Sequence, residues 1–294
     1  MTKSVDLQSE GLRPAVCKPA ALYQALRRAL AAATDAPEFE ARELLRETLA
    51  LSMADILLDR EIEPPADGLA RLETLVRRRL AHEPLQYLLG KWEFYGREFT
   101  VGEGVLIPRP DSEILAEQVL ALIRGKKAPR LLELCGGSGC LAATVALEHP
   151  GAEVTSVEKS SAAFGYLQKN CGALQSGVRC LLGDALNGEV VKGDFDGIFS
   201  NPPYLSAKDM GELAPEVRHE PVMALYGDED GLFFYRSLTK LWKGRLRSGG
   251  FLAYEIGAGQ QDAVKGILEA EGFRHIEMFR DYGGIIRVLT AKLG

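Results

Sequence analysis

The chain predicts an α/β protein: a mostly parallel sheet covered by helices on both faces, ending in an antiparallel last strand and preceded by a small helical bundle. Three observations carry this. From 19 to about 90 the apolar residues recur at helical spacing. From 111 onward short apolar runs alternate with helical segments, the pattern of a parallel sheet with crossover helices. The last two strand-like runs, HIEMFRD and IIRVLTA, have no helix between them, and strands joined so directly must run antiparallel.

Taken in order, the first segment, MTKSVDLQSEGLRP, lacks the apolar stretch of a secretory signal. Residues 1–18 are expected to be a flexible N-terminus. No run approaches the ~18 apolar residues of a membrane span, so the protein reads as cytoplasmic, without membrane contact. Residues 19–85 read as the helical domain. PAALYQALRRALAAA places Leu22, Leu26 and Leu30 on one face, and TDAPEFEARELLRETLAL offers Asp35 as N-cap with Glu38 three residues on, a capping-box arrangement. SMADILLDR and DGLARLETLVRRRLA complete the bundle. In 86–110, KWEFYGREFTV is aromatic-rich around a central glycine and predicts a β-hairpin connector, continued by GEGVLIPRPD. Residues 111–294 form the third segment. Its strands are RLLELC, EVTSVE, VRCLLG, FDGIFS, GGFLAYEIG and the final pair.

At 294 residues, 46% hydrophobic and 26% charged, the chain can bury a core of ordinary size without metal or disulfide. The five cysteines show no CxxC and no framework spacing, and with four histidines they give no metal-site signature. A net charge of −6 disfavours nucleic acid as the primary substrate, which calls for a basic face. A local basic stretch, VRRRLAH at 76–82, reads as a solvated helix face.

Three successive strand ends carry groups suited to a nucleoside. RLLEL runs into CGGSGC, whose Gly136, Gly137 and Gly139 allow a tight turn and close approach of backbone to ligand. The next strand ends in Glu158, placed to accept hydrogen bonds from two ribose hydroxyls. The third leads to Asp184 and Ala185, which can face an adenine ring. GxGxxG and GxxxxGK[ST] are both absent, so neither a dinucleotide nor a triphosphate has its cradle. A nucleoside without phosphates, as in S-adenosylmethionine, suits these residues better.

FDGIFS ends in Asn201-Pro202-Pro203-Tyr204. Proline has no N–H, which leaves neighbouring carbonyls free as acceptors of fixed direction. The Asn201 side-chain oxygen and the Pro202 carbonyl can receive both hydrogens of a planar –NH₂ group, with the Tyr204 ring as a stacking surface. The chemistry that needs this is methyl transfer to a poorly nucleophilic amide or exocyclic amine, catalysed by positioning and electrostatics.

On these residues the chain resembles the release-factor glutamine methyltransferases, which N-methylate the glutamine of the Gly-Gly-Gln motif in class I peptide chain release factors. The likeness covers essentially the whole chain and includes EPLQYLLGKWEFYGREFTV, VLIPRPDSEILAE, SNPPY, RHEPVMALYGDEDGLFFYR, EIGAGQ and RDYGGIIRV. NPPY alone is shared with adenine-N6 DNA methyltransferases; the connector and the helical segment before it make the match specific. The resemblance implies a class I, Rossmann-like methyltransferase domain that binds S-adenosylmethionine and releases S-adenosylhomocysteine. It implies a helical domain that engages the release factor, and no metal. The enzyme is expected to act as a monomer, with no direct nucleic-acid substrate. Carried over by position, the cofactor loop is Cys135, Gly136, Gly137, Ser138 and Gly139, the ribose acid Glu158, and the adenine side Ala185, beside Asp184. Asn201, Pro202, Pro203 and Tyr204 form the substrate clamp, with Asn201 also beside the cofactor. The family usually has Gly at 135 and Asp at 158; here Cys135 adds a Cβ where the turn prefers glycine, and Glu158 keeps the acceptor chemistry with one more methylene. The alternatives are a glutamine of a ribosomal protein and, further off, adenine N6 in nucleic acid.

Overall fold

The computed structural model describes residues 16–294, which divide into two units, 16–90 and Lys91–Gly294. The expected N-terminal segment 1–18 lies almost wholly outside the described residues.

In the first unit five helices follow one another: α1 (Pro19–Leu30), α2 (Pro37–Leu49), α3 (Met53–Leu58), α4 (Gly68–Leu80) and α5 (Leu85–Leu89). Leu22, Leu26 and Leu30 all face inward, as their spacing predicts. The expected cap at Asp35 does not form: α2 starts at Pro37 behind Ala36, with no side-chain cap. Proline at the first position carries no N–H to satisfy and brings its φ already set, so the cap has less to do. The capping box lies instead on α3, where Ser52 and Asp55 exchange hydrogen bonds. The basic stretch on α4 also departs from expectation. Arg77 and Arg78 face outward, but Arg79 is buried, its Nε 2.6 Å and an Nη 3.0 Å from the two oxygens of the buried Glu40. A second helix in the same unit thus absorbs one of the charges that the sequence leaves to solvent.

The second unit opens with a hairpin, β1 (Lys91–Phe94) and β2 (Arg97–Thr100). Its two-residue turn, Tyr95-Gly96, has positive φ at both positions, the twist that matches paired strands. There follow α6 (Asp111–Ile123), β3 (Arg130–Leu134), α7 (Cys140–Glu148), β4 (Glu153–Glu158), α8 (Ser161–Ala173), β5 (Arg179–Leu182) and β6 (Phe195–Ser200). A long connection holding two short helices, α9 (Ala207–Gly211) and α10 (Val222–Leu225), leads to α11 (Phe233–Trp242), β7 (Leu246–Glu255), α12 (Gln261–Ala270), β8 (Phe273–Arg280) and β9 (Ile286–Leu293).

The seven-stranded sheet has the order β5-β4-β3-β6-β7-β9-β8. All its neighbours are parallel except around β9, which runs antiparallel to both β7 and β8. The antiparallel strand is therefore the last in sequence, as predicted. Apolar side chains from each face of the sheet enter a separate core. One is packed by α6 and α7 residues such as Leu115 and Leu141, the other by α11 and α12 residues such as Trp242 and Leu268. Both faces are covered, which explains why β3 and β6 are buried along almost their whole length.

Candidate active site

The chain order reverses at β3, which has β4 on one side and β6 on the other, and an open α/β sheet binds ligands at the carboxyl ends of strands at such a point. Register fixes who meets there. Leu134 pairs with Ser200 and with Val157, so the next residues along, Cys135, Asn201 and Glu158, emerge side by side. Ser200 pairs in turn with Tyr254, which brings Glu255 to the same edge. The Ser200 hydroxyl donates to the Leu134 carbonyl (2.6 Å) and ties the two central strand ends together.

The turn after β3 requires unusual backbone. Cys135, Gly137 and Gly139 all have positive φ, at 62°, 55° and 80°. Cys135 thus does occupy a conformation that favours glycine, at a cost of order 1–2 kcal/mol. Burial, with the nearby Glu158 carboxylate adding to it, pushes its thiol up to about 12. Gly136 has no room for a side chain, since a Cβ there would lie 2.1 Å from the Ser156 hydroxyl. At Gly137 a Cβ would meet nothing, so that side of the loop faces open space. Ser138 is buried, and its carbonyl accepts from Asn170 Nδ2 (2.9 Å).

Glu158 is buried, and each carboxylate oxygen takes one backbone N–H, Gly137 at 2.8 Å and Ser160 at 2.6 Å. Those bonds hold the turn after β3 and the acid to each other and leave further lone pairs on both oxygens. Asp184 is committed locally: Oδ1 accepts from Leu186 N (2.9 Å) and Oδ2 is 2.8 Å from Lys159 Nζ. Partial burial works to raise its pKa, but the Lys159 ammonium and the Leu186 N–H outweigh it and leave the carboxyl below its ordinary value. The Ala185 carbonyl accepts from Trp242 Nε1 (2.8 Å), so its backbone is anchored from the core side.

These residues share one cleft. Cys135, Gly137, Glu158, Asp184, Ala185, Asn201 and Pro203 all line it, together with Lys159, Leu186 and Phe234. Its content fits a nucleoside. An acid with spare lone pairs stands beside an open glycine turn, apolar side chains flank them, and the one lysine is already paired with Asp184. Gly136, Ser138, Gly139, Pro202 and Tyr204 are absent from that lining; the first four are buried and Tyr204 is half-buried.

In the clamp, Asn201 Nδ2 donates to Ser112 Oγ at 3.2 Å, and Ser112 Oγ donates to Glu255. Tyr204 is half-buried; burial, with the neighbouring Glu255 charge adding to it, raises its hydroxyl above the ordinary phenol value. Its backbone carbonyl accepts from Gln260 Nε2 (2.9 Å), whose Oε1 accepts from Gly257 N (2.9 Å). Gln260, at the entry to α12, is thus a brace for the clamp. Space is tight here: a Cβ on Gly231 would come 2.3 Å from the Tyr204 carbonyl, and one on Gly227 would come 2.7 Å from that of Pro203. Ser112, Lys159 and Glu255 escaped sequence reading. For Glu255 a signal existed, since an acid ends a strand beside the clamp's own.

Comparison with known proteins bears on this arrangement. Residues 21–90 match the PrmC N-terminal domain and residues 110–220 the methyltransferase small domain. A release factor glutamine methyltransferase of Bordetella pertussis is 40% identical over 253 residues, covering 86% of this chain and 93% of that protein. The chain belongs to the release factor glutamine methyltransferases. Solved structures show the fold more widely. A methyltransferase from Pyrococcus furiosus, 22% identical, superposes with a TM-score of 0.53 over 68% of this chain and 91% of its own. A Thermus thermophilus 16S rRNA N2 G1207 methyltransferase in complex with AdoMet and guanosine, 23% identical, reaches 0.50 over 69% and 50%.

Proposed function

We propose that this chain transfers a methyl group from S-adenosylmethionine to the side-chain amide nitrogen of the glutamine in the Gly-Gly-Gln motif of class I release factors. The observation that carries this is the alignment of the Asn201–Tyr204 clamp beside the Cys135–Gly139 turn at adjacent strand ends, in a chain whose relatives bear that activity in their name. S-adenosylmethionine supplies, when bound, a methyl on a sulfonium centre that departs as a neutral thioether. In this reading Glu158 holds the ribose hydroxyls, the Cys135–Gly139 backbone borders the amino-acid end, and Asp184 with Ala185 borders the adenine.

The clamp then does what an amide needs. A glutamine nitrogen has its lone pair delocalised into the carbonyl and is a weak nucleophile. Asn201 Oδ1 and the Pro202 carbonyl accept its two hydrogens and fix the plane of the group, while the Tyr204 ring lies against it. Accepting both hydrogens draws electron density onto the nitrogen and stabilises the charge that grows there during transfer. The nitrogen forms its bond to carbon with its own pair, and one N–H proton leaves to water. No side chain need act as base before transfer, because positioning supplies much of the barrier reduction.

The helical unit, 16–90, is read as the release-factor-binding part on the strength of its match to the PrmC N-terminal domain. The enzyme is read as a monomer of the cytoplasm, where release factors work. The test is incubation with methyl-labelled S-adenosylmethionine and, separately, a class I release factor, ribosomes and duplex DNA. Label on the release factor alone is expected; label confined to ribosomes or DNA overturns the proposal.

A further inference from the structure

Ser112 and Glu255 lie behind the clamp, and both are buried. They come from α6 and the end of β7 and are separated by 143 residues in the chain. Their contacts run in one direction: Asn201 Nδ2 to Ser112 Oγ, then Ser112 Oγ to the Glu255 carboxylate. An ionised carboxylate can only accept, so the serine hydrogen must point to it. The serine then offers Asn201 a lone pair, and only the –NH₂ end of the asparagine amide can face it.

We infer that Ser112 and Glu255 are positioning residues that fix the Asn201 amide with its –NH₂ inward and its oxygen toward the substrate amide. This rests on the proposed reaction, in which Asn201 must accept. The two ends of an asparagine amide are nearly equal in shape, so packing alone discriminates poorly between them. The reversed amide would present –NH₂ to the substrate's –NH₂, donor against donor. Protonated Glu255 can donate to Ser112, which frees the serine hydrogen to turn toward Asn201, and the direction is lost.

The groups around Glu255 bear on its charge. Asp111 of α6 and Arg287 of β9 act on it in opposite senses, and Tyr204, Tyr235 of α11 and Cys140 of α7 also face it. The Tyr235 hydroxyl donates to the Glu255 backbone carbonyl (2.9 Å) and holds the strand end. Burial pushes the Glu255 carboxyl up to about 7, against the hydrogen bonds from Ser112 and Asn201. The charge-enforcing form is the deprotonated one, so ordering of the amide is present above that value and lost as pH falls through it.

The chain has three asparagines, Asn170, Asn187 and Asn201, so protein labelled with ¹⁵N-asparagine gives three side-chain amide signals, and Asn201→Ala identifies the one needed. In the wild type the Asn201 pair is expected to shift with a midpoint near pH 7, and in Glu255→Gln to stay fixed. In parallel, Glu255→Gln and Ser112→Ala are expected to lower kcat for release-factor methylation about tenfold or more, with KM within about threefold. Glu255→Gln is also expected to lose the acidic limb of the pH profile. An Asn201 pair with the same shifts in folded wild type, Glu255→Gln and Ser112→Ala overturns the inference. So does a Glu255→Gln enzyme with wild-type kcat and an intact acidic limb. A wild type that methylates no release factor at any pH instead defeats the proposed reaction, and the amide shifts still decide the orientation.

Discussion

Replacing Glu158 by glutamine changes one oxygen into –NH₂ and removes a charge, and the structure says what each change does. Both carboxylate oxygens are occupied by backbone donors, Gly137 N at 2.8 Å and Ser160 N at 2.6 Å. Glutamine can satisfy one of them; the other then confronts a donor, and either the Gly137 turn or the start of α8 must shift. The ligand side loses as well, because hydrogen bonds to a charged acceptor contribute about 1.5–3 kcal/mol against about 0.5–1.5 for neutral pairs. On the proposed placement of the ribose at Glu158, weakening two hydroxyl contacts and displacing the loop puts about 2–3 kcal/mol of binding free energy at stake. That corresponds to S-adenosylmethionine affinity lowered roughly 30- to 150-fold. Calorimetric titration measures this directly, and thermal unfolding without ligand separates it from loss of stability. A Kd within about threefold of wild type, with an unchanged melting temperature, refutes the placement of Glu158 at the ribose.

Asn201→Ala is expected to lose more than about 2 kcal/mol of transition-state stabilisation, seen as a fall in kcat with cofactor affinity nearly intact; near wild-type turnover rules out the clamp. Glu133 is buried against the Ser156 hydroxyl beneath the cofactor turn, and burial pushes its carboxyl up to about 8 from an ordinary 4.5. The folded state therefore holds more protons than the unfolded one between those values, so stability falls as pH rises through that window. Melting temperatures between about pH 5 and pH 9 should show this slope in the wild type and a shallower one in Glu133→Gln; equal slopes remove Glu133 as its source. Arg79→Met strands the buried Glu40 carboxylate and is expected to lower stability by about 3–5 kcal/mol in urea unfolding. Adding Glu40→Gln should restore much of that, and a double variant as unstable as the single one argues against the pair.

Much of the candidate site could be read from the sequence because its parts sit at strand ends, which local patterns mark well. RLLEL before CGGSGC, EVTSVE with its terminal Glu158 and FDGIFS before NPPY each announce a strand that stops in chemistry. The neighbour relations among those ends were not local. Pairing of Leu134 with Ser200, and of Ser200 with Tyr254, decides that Asn201 stands between Cys135 and Glu255, and register is a property of the assembled sheet. Ser112 is a plain helix residue until its partner arrives from β7. Arg79 misled for a related reason: three consecutive arginines on a helix look solvated, and only the approach of Glu40 from α2 reveals that one is turned inward. Asp35 failed as a cap because Pro37 starts the helix two residues later.

In the proposed reaction the Asn201–Tyr204 clamp presents a glutamine amide for methylation. The most direct measurement is mass spectrometry of the Gly-Gly-Gln peptide from a class I release factor after incubation with S-adenosylmethionine and either wild-type enzyme or Asn201→Ala. A single methyl on that glutamine is expected with the wild type and almost none with the variant. Methyl on another residue, or equal modification of the glutamine by both proteins, contradicts it.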